Sequence, residues 1–503
     1  MGSQGEKLDK NGLYLLAMLC WVSTLNSATQ GYDSAMMNGL QILPSYAEYF
    51  RLTTATTSLN VAIVFVGSVI ATPFAGILCD KWGRKVGMSV TAFIALTGAT
   101  IQAAAVHEAM FCIGRLIIGI SVTTGSTAAP AYVSEVSHPK YRVLLTGLCG
   151  AAWYVGSVMA AAITFGTQYL DNTWSWRAPS LLQFFPSVCC LVVIPFIPES
   201  PRWLVYQDRH EEALAVLLKY HGNGDPESPI VTLEYQEIVQ TLEHEKSVQK
   251  ANFKALVATR PNRWRFGVVA AVSIFCQISG NNIISYYLGS VLTAAGVTGV
   301  QTQLAINIGL SVFNLIMAII GSGFCDRVGR RPSFLISTTA MAFMLVIVGV
   351  LNAVYANKIS TAGSAAQILM IFIFYGCYSL VWTPLAYLYP LEVLSFSLRA
   401  SGMASYNGLC YLAAFFNTYI IPYAMEWSSW KFYIISAAWC LVEVAIMWFY
   451  FPETKAMTLE EVDIIFDGVR HAEVDMKVII GEEVLPKGGG DSTVVEYPTS
   501  AKD

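Results

Sequence analysis

Two charged residues lie inside stretches of chain too apolar to hold a charge cheaply. Asp33 follows Gly31 and Tyr32 deep in an apolar run at 14–40, and Arg115 stands near the start of another at 109–134. A lone charge in hydrocarbon costs several kcal/mol unless it meets a partner, a watery cavity or a proton. An acid there can bind and release a proton while a nearby cation tunes it; a static ion pair that fixes helix packing is the other reading. A second set is neutral. Gln277, Asn281 and Ser285 recur every four residues, Asn282 lies beside them, and Asn314 sits in the next run. Four-residue steps stay on one helical face, and amides both donate and accept, which suits a hydroxyl-bearing ligand. Hydrogen bonding between helices is the alternative. Nothing indicates bond-breaking chemistry: no nucleophile–base pair, cofactor motif or metal cluster stands out. The eleven cysteines lie in or at the edge of apolar runs without a C-x-x-C pair, so they read as small buried apolar residues. Glu443 is a lone acid in an apolar span with no assigned role.

The elements that must position these residues are membrane spans. Charged residues make up 13% of the 503 and hydrophobic residues 55%, whereas soluble chains carry about a quarter charged residues. A helix needs roughly 20 apolar residues to cross the hydrocarbon. Twelve runs qualify: 14–40, 57–78, 86–105, 109–134, 143–166, 180–197, 266–290, 302–325, 332–354, 366–390, 401–423 and 432–451. The expected fold is an all-α membrane protein of two pseudo-symmetric six-helix bundles, 14–198 and 266–451. A polar tail (1–13) precedes them, a linker with short amphipathic helices (199–265) joins them, and a second tail (452–503) follows. The linker helices are expected near 211–219 and 233–250, and a further surface helix near 457–468, with 487–503 disordered. The first apolar run is too long for a cleaved leader and is expected to stay as the first span.

The duplication is legible in charged turns. Asp80-Lys81-Trp82-Gly83-Arg84-Lys85 returns as Asp326-Arg327-Val328-Gly329-Arg330-Arg331. Glu135 with Arg142 returns as Glu392 with Arg399, and Pro198-Glu199-Ser200-Pro201-Arg202 as Pro452-Glu453-Thr454-Lys455. The offsets are 246 (80 to 326), 257 (135 to 392) and 254 (198 to 452). Asp80, Arg84, Glu135, Arg142, Glu199 and Arg202, with Asp326, Arg330, Glu392, Arg399 and Glu453, are expected to form an inner belt. That belt would join the halves in one state and part in another. Of 30 Lys and Arg, 25 fall on one face; the others are Arg51, Arg115, Arg177, Lys358 and Lys431. That bias puts both termini and the two basic turns in the cytoplasm. By the same alternation Asp33 and Arg115 both lie in the outer half of their helices, where they can meet. The net charge of −4, with no basic stripe beyond the turns, gives no reason to expect nucleic acid.

Together the stretches Asp80–Lys85, Asp326–Arg331, Pro130–Glu135, Pro198–Arg202, Gln277–Tyr287 and Pro452–Lys455 resemble the sugar porter family of the major facilitator superfamily over nearly the whole chain. The resemblance implies alternating access around a central sugar site. It places Gln277, Asn282 and Asn314 on sugar-contacting positions, and Asp33 and Arg115 on positions that distinguish proton symporters. Asn281, Tyr286, Tyr287 and Tyr387 join the candidate substrate contacts, and Pro384 and Pro390 loosen the span that carries Tyr387. The chain looks like the fungal branch of hexose, lactose and cellodextrin permeases. It departs from the family where Gly150, Cys276, Tyr387 and Tyr411 replace family residues, which would widen the site and make it less polar. The expected function is proton-coupled sugar uptake (hexose or disaccharide) at the plasma membrane, by a monomer whose partners are a sugar, a proton and the lipid bilayer. A transporter of a glycoside or secondary metabolite, and a non-transporting sugar sensor, are the alternatives.

Overall fold

The computed structural model describes residues 10–222, 224–225, 228–247, 253–355, 361–395, 398–455, 457 and 459–467. These residues are almost wholly helical, and no strand occurs among them. The first half contains α1 (Lys10–Ile42), α2 (Pro44–Phe50), α3 (Thr54–Trp82), α4 (Arg84–Ala103), α5 (Glu108–Val136), α6 (Pro139–Thr167), α7 (Trp174–Leu182) and α8 (Phe185–Val193). The linker holds α9 (Pro201–Tyr206), α10 (His210–Tyr220) and α11 (Pro229–Ser247). The second half contains α12 (Arg260–Ile278), α13 (Asn281–Ala294), α14 (Val300–Val328), α15 (Arg330–Tyr355), α16 (Thr361–Val393) and α17 (Arg399–Tyr450), followed by α18 (Leu459–Asp467).

Among the described residues, ten helical stretches are long and apolar enough to cross a membrane. Helix α6, with 29 residues, and the division of α17 into two arms account for the remaining two of the twelve expected crossings. The arms meet at Ser428, whose backbone is extended (φ −175°, ψ 104°). Two expected spans are broken or displaced. The span at 266–290 is two helices, α12 and α13, parted at Ser279-Gly280. The span at 180–197 begins earlier, at Trp174, and is divided between α7 and α8. The early start is explained by Arg177. Its guanidinium donates to the carbonyls of Ala103 and Ala105, at the end of α4, and lies 4.5 Å from the Trp176 ring. A cation that caps a helix C-terminus sits comfortably where a charge count would end the span. Helix α16 stays one helix through Pro384 and Pro390. In the linker, α10 and α11 match the two expected surface helices, and α9 is an addition. Helix α18 occupies the expected tail helix and sets the Phe466 ring 4.6 Å from that of Trp264, tilted by 58°. The expectations for 1–9 and 487–503 fall outside the described residues.

The two halves repeat one plan. In the first, α1 packs on α6 and α5 on both α3 and α4; across the halves, α3 lies against α17 as its counterpart α14 lies against α6, and α1 meets α13. The α1–α6 contact is nearly backbone to backbone. A Cβ at Gly31 would stand 1.7 Å from the carbonyl oxygen of Trp153, and one at Gly156 would stand 1.9 Å from that of Ala28. Dispersion between closely fitted small residues is what holds helices together where no water is displaced. Gly156→Ala is therefore expected to push α1 off α6, at a cost of about 1–3 kcal/mol. It should lower the thermal unfolding midpoint in detergent; an unchanged midpoint would disprove the close approach.

Candidate functional site

Asp33 and Arg115 meet. Arg115 Nη1 donates to Asp33 Oδ1 at 2.9 Å and Nη2 to Oδ2 at 3.5 Å, and the two residues are 0% and 3% exposed, arginine first. The pair joins α5 to α1 in the half of the membrane away from the basic turns. We call that side the far face, and the side carrying the turns the turn face. In so dry a site, leaving either charge alone costs about 3–5 kcal/mol, so the state of one dictates the state of the other.

The amides are rearranged by the break at Ser279-Gly280, where Gly280 takes φ +92°, a left-handed value that glycine adopts freely. An unbroken helix would align Gln277 with Asn281. The break shifts the phase, and Asn282 meets Gln277 instead: its Nδ2 donates to the Gln277 carbonyl at 3.1 Å and to Oε1 at 3.2 Å. Asn417, on the first arm of α17, donates to the same carbonyl. The four-residue alignment of Gln277, Asn281 and Ser285 is thus corrected, and Asn281 is buried one residue away from the pair. Asn314 lies in an adjoining cluster, where its Oδ1 accepts from Ser379 at 3.0 Å and Ser379 also contacts the Tyr154 hydroxyl at 2.7 Å. Asn314, Tyr154, Ser285 and Tyr375 line one hollow with Asn38, Ser157 and Asn307. Tyr378 bridges the clusters, with its ring 6.1 Å from that of Tyr375 and its hydroxyl on the Cys276 carbonyl at 2.8 Å.

The tyrosines differ from one another. Tyr286 faces the other half, where its hydroxyl contacts Ser34 at 3.1 Å. Tyr287 is buried and spends its hydroxyl on the Thr418 carbonyl at 2.7 Å, which packs α13 on α17. Tyr387 is 47% exposed and edges onto Tyr406 at 5.3 Å.

The contact across the halves was not read from the sequence. Helix α13 is distorted at Tyr287 (φ −130°, ψ 28°). There the N–H of Leu288 donates to Asn38 Oδ1 at 3.0 Å, and Asn38 Nδ2 reaches the Ile284 carbonyl at 3.4 Å. Ile284 lies four residues before Leu288, so a side chain of α1 occupies the place of a backbone bond in α13. Asn38 also donates to Asn307 at 3.2 Å, and Gln41 to the Tyr286 carbonyl at 2.9 Å. Nearer the middle, Ser157 contacts Ser311 at 3.0 Å and Tyr154 contacts Thr383 at 3.2 Å. One turn further toward the turn face, Gly150 and Tyr387 are both exposed, and a Cβ on Gly150 would meet nothing within 4 Å. The described cross-half bonds therefore close the far face and the middle, while these two positions look into open space. Asn38 and Gln41 were discoverable by the rule that found Gln277, a costly amide within an apolar run.

The charged turns form two matching nodes. Arg84 donates from Nη2 to Glu135 at 3.1 Å and pairs with Asp80 at 3.4 Å; Arg330 bonds Glu392 at 3.0 Å and Asp326 at 3.3 Å. Glu199 accepts the N–H of Arg84 at 3.2 Å, and Glu453 that of Arg330 at 2.9 Å. Ser200 donates to Glu135, and Thr454 to Glu392. The hydroxyls of Tyr132 and Tyr389 close the nodes on the carbonyls of Pro198 and Pro452, each at 2.7 Å. Burial pushes the Glu199 carboxyl up from its usual range, and the N–H groups of Ser200, Lys85 and Arg84 draw it back. Every one of these bonds stays within one half. Each acid lies on the same bundle as its base, where the turn and the following helix ends bring them together, in a structure whose turn face is open; the expected belt joins the halves in the other state. Arg202 and Arg399 lie beside these nodes in sequence, and the Arg142 side chain falls outside what is described.

Two six-helix bundles that face each other across a polar centre define a membrane transporter of the major facilitator type. Among solved structures, the proton:xylose symporter XylE bound to 6-bromo-6-deoxy-D-glucose shares the fold with a TM-score of 0.74 at 22% identity, over 90% of this chain and 100% of that one. The profile of the family described as "Sugar (and other) transporter" matches residues 19–466, and the chain belongs to that family. Its relatives include the MFS-type transporter criB of Aspergillus cristatus, 27% identical over 459 residues (91% of this chain, 94% of that one). The high-affinity glucose transporter of Kluyveromyces lactis is 28% identical over 473 residues (90% and 85%). The protein is a transporter, not an enzyme.

Replacing Asn38 with Leu removes its bonds across the seam to the N–H of Leu288, the Ile284 carbonyl and Asn307, which weakens far-face closure by about 1–3 kcal/mol. A reporter cysteine on the far rim is expected to react about 5- to 150-fold faster with an impermeant maleimide. An unchanged or slower rate would show that Asn38 does not hold this face shut.

Proposed function

We propose that the chain carries a sugar, a hexose or disaccharide, inward across the plasma membrane together with a proton, by alternating access. The turn face and both termini are taken as cytoplasmic, in keeping with the Lys and Arg bias. The observation that carries the reading is the buried Asp33–Arg115 pair and its neighbour: Ser34, the next residue, holds Tyr286 of the other half at 3.1 Å. A proton taken by Asp33 cancels the charge that Arg115 grips. It thereby loosens α1 where α1 touches α13, and so favours rearrangement of the far face. Gln277 and Asn282 offer donors and acceptors to sugar hydroxyls at the break, with Asn314 and Tyr387 completing the wall. A sugar that exchanges for the Asn282–Gln277 bonds has differential affinity for the two states, which is the condition for it to drive the change. In this reading the charged nodes act as the inner gate by keeping the turn end of each bundle rigid, so that the bundles move as units. The proton:xylose symporter supports the coupling by likeness of fold and the yeast glucose transporter supports the sugar by likeness of sequence.

A second reading, passage of a larger glycoside or another metabolite, is favoured by the open space beside Gly150 and by the likeness to criB. Competition against labelled glucose by cellobiose, lactose and aryl glucosides in a transport-deficient cell separates the two.

Asp33→Asn fixes the residue in its neutral form. The expected outcome is loss of accumulation against a gradient while exchange of substrate across the membrane continues. Undiminished concentrative uptake in that variant would end the coupling proposal.

A further inference from the structure

We propose that Cys276 and Cys410 are an oxidisable thiol pair, a modification site at which a peroxide closes a disulfide between α12 and the first arm of α17 beside Gln277. The two sulfurs are 3.7 Å apart, although 134 residues separate them, and the residues are 2% and 7% exposed. A disulfide needs its sulfurs at about 2.0 Å, so the pair has under 2 Å to close, the scale of side-chain rotation rather than of helix movement. The Gln277 amide donates to Cys410 Sγ at 3.1 Å and approaches Cys276 Sγ at 3.6 Å, and the Tyr406 hydroxyl lies 4.0 Å from Cys276.

This arrangement gives the two sulfurs different tasks. A thiolate is the nucleophile in thiol oxidation, and the N–H directed at Cys410 stabilises negative charge there. Cys410 attacks one oxygen of the peroxide, the O–O bond breaks, and a sulfenic acid and water result. The Cys276 sulfur then attacks the Cys410 sulfur. The S–O bond breaks, the departing oxygen takes the Cys276 proton and leaves as a second water, and the disulfide remains. For hydrogen peroxide, two thiols lose two electrons and two protons, and one peroxide becomes two waters. The oxidant enters through the half-buried Gln277 position, next to the open wall at Tyr387. Once formed, the bond ties α12 to α17 immediately before the break at Ser279-Gly280 and draws the sulfur acceptor away from the Gln277 amide.

The consequence for transport rests on the proposed role of Gln277; the disulfide itself does not, and the test keeps the two apart. The full chain, purified in detergent and treated with hydrogen peroxide, is digested without reduction. A cross-linked Cys276–Cys410 peptide is expected, lighter than its parts by two hydrogens and released by a dithiol reductant. In Cys276→Ser, dimedone should trap a sulfenic acid on Cys410. In Cys410→Ser, Cys276 should stay a thiol. Absence of the cross-linked peptide in oxidised wild type, or a sulfenic acid that forms as readily on Cys276 in Cys410→Ser, would overturn the site. In proteoliposomes, oxidation should raise KM about tenfold, the effect of one lost amide contact, and reductant should restore it. A cross-link that forms without changing KM leaves the site standing and overturns the role given to Gln277.

Discussion

In hydrocarbon no water satisfies a backbone N–H or C=O, so each must find a partner inside the protein. That single constraint shapes both the scaffold and its moving part. It makes the spans helical, and it makes any interruption of a span expensive unless a side chain repairs it. The interruptions at Gly280 and Tyr287 are repaired from two directions. Asn282 and Asn417 supply donors to the Gln277 carbonyl, and Asn38 takes up the N–H of Leu288 while reaching the Ile284 carbonyl. The second repair comes from the opposite half. It occupies a place that α13 could otherwise fill with its own backbone bond.

The charged turns work differently. Each gathers a loop arginine, the acid at the end of a neighbouring helix, and the acid that opens the next segment into one node. Gly83 and Gly329 take φ +94° and +109° at the turn, and a Cβ at either would come within 3 Å of the acid, Glu199 or Glu453. The same node built twice gives two stiff ends with no described bond between them. Stiff bundles and a soft centre are the mechanical requirements of a two-state transporter. Asp33 and Arg115 belong to neither category. They are a charge pair inside one bundle, one residue from a hydroxyl that touches the other.

Much of this was legible in the residues. Runs of apolar residues mark spans because hydrocarbon thickness sets helix length, and the repeated charged turns mark a duplication because each node needs the same residue types in the same order. That Asp33 and Arg115 both lie in the outer half of their helices, where they can meet, followed from the alternation of span direction. What failed was phase and partnership. The four-residue alignment of Gln277, Asn281 and Ser285 assumed an unbroken helix, and Gly280 removed that assumption. The repeat picked out the acids and bases of the belt, but not which of them pair within one bundle, because a sequence gives no separation between bundles.

The chain by itself settled how many times it crosses the membrane, that its halves are copies, and which polar residues it places at a cost where water is absent. Those are local quantities, fixed by length, period and transfer free energy. Only the folded structure decided which of those residues face one another. Asn38 entering the ladder of α13, Tyr154 reaching Ser379, and two cysteines 134 positions apart coming to 3.7 Å depend on how whole helices cross. Crossing is set by the fit of surfaces such as Gly31 against Trp153, and that fit belongs to pairs of helices rather than to either sequence alone.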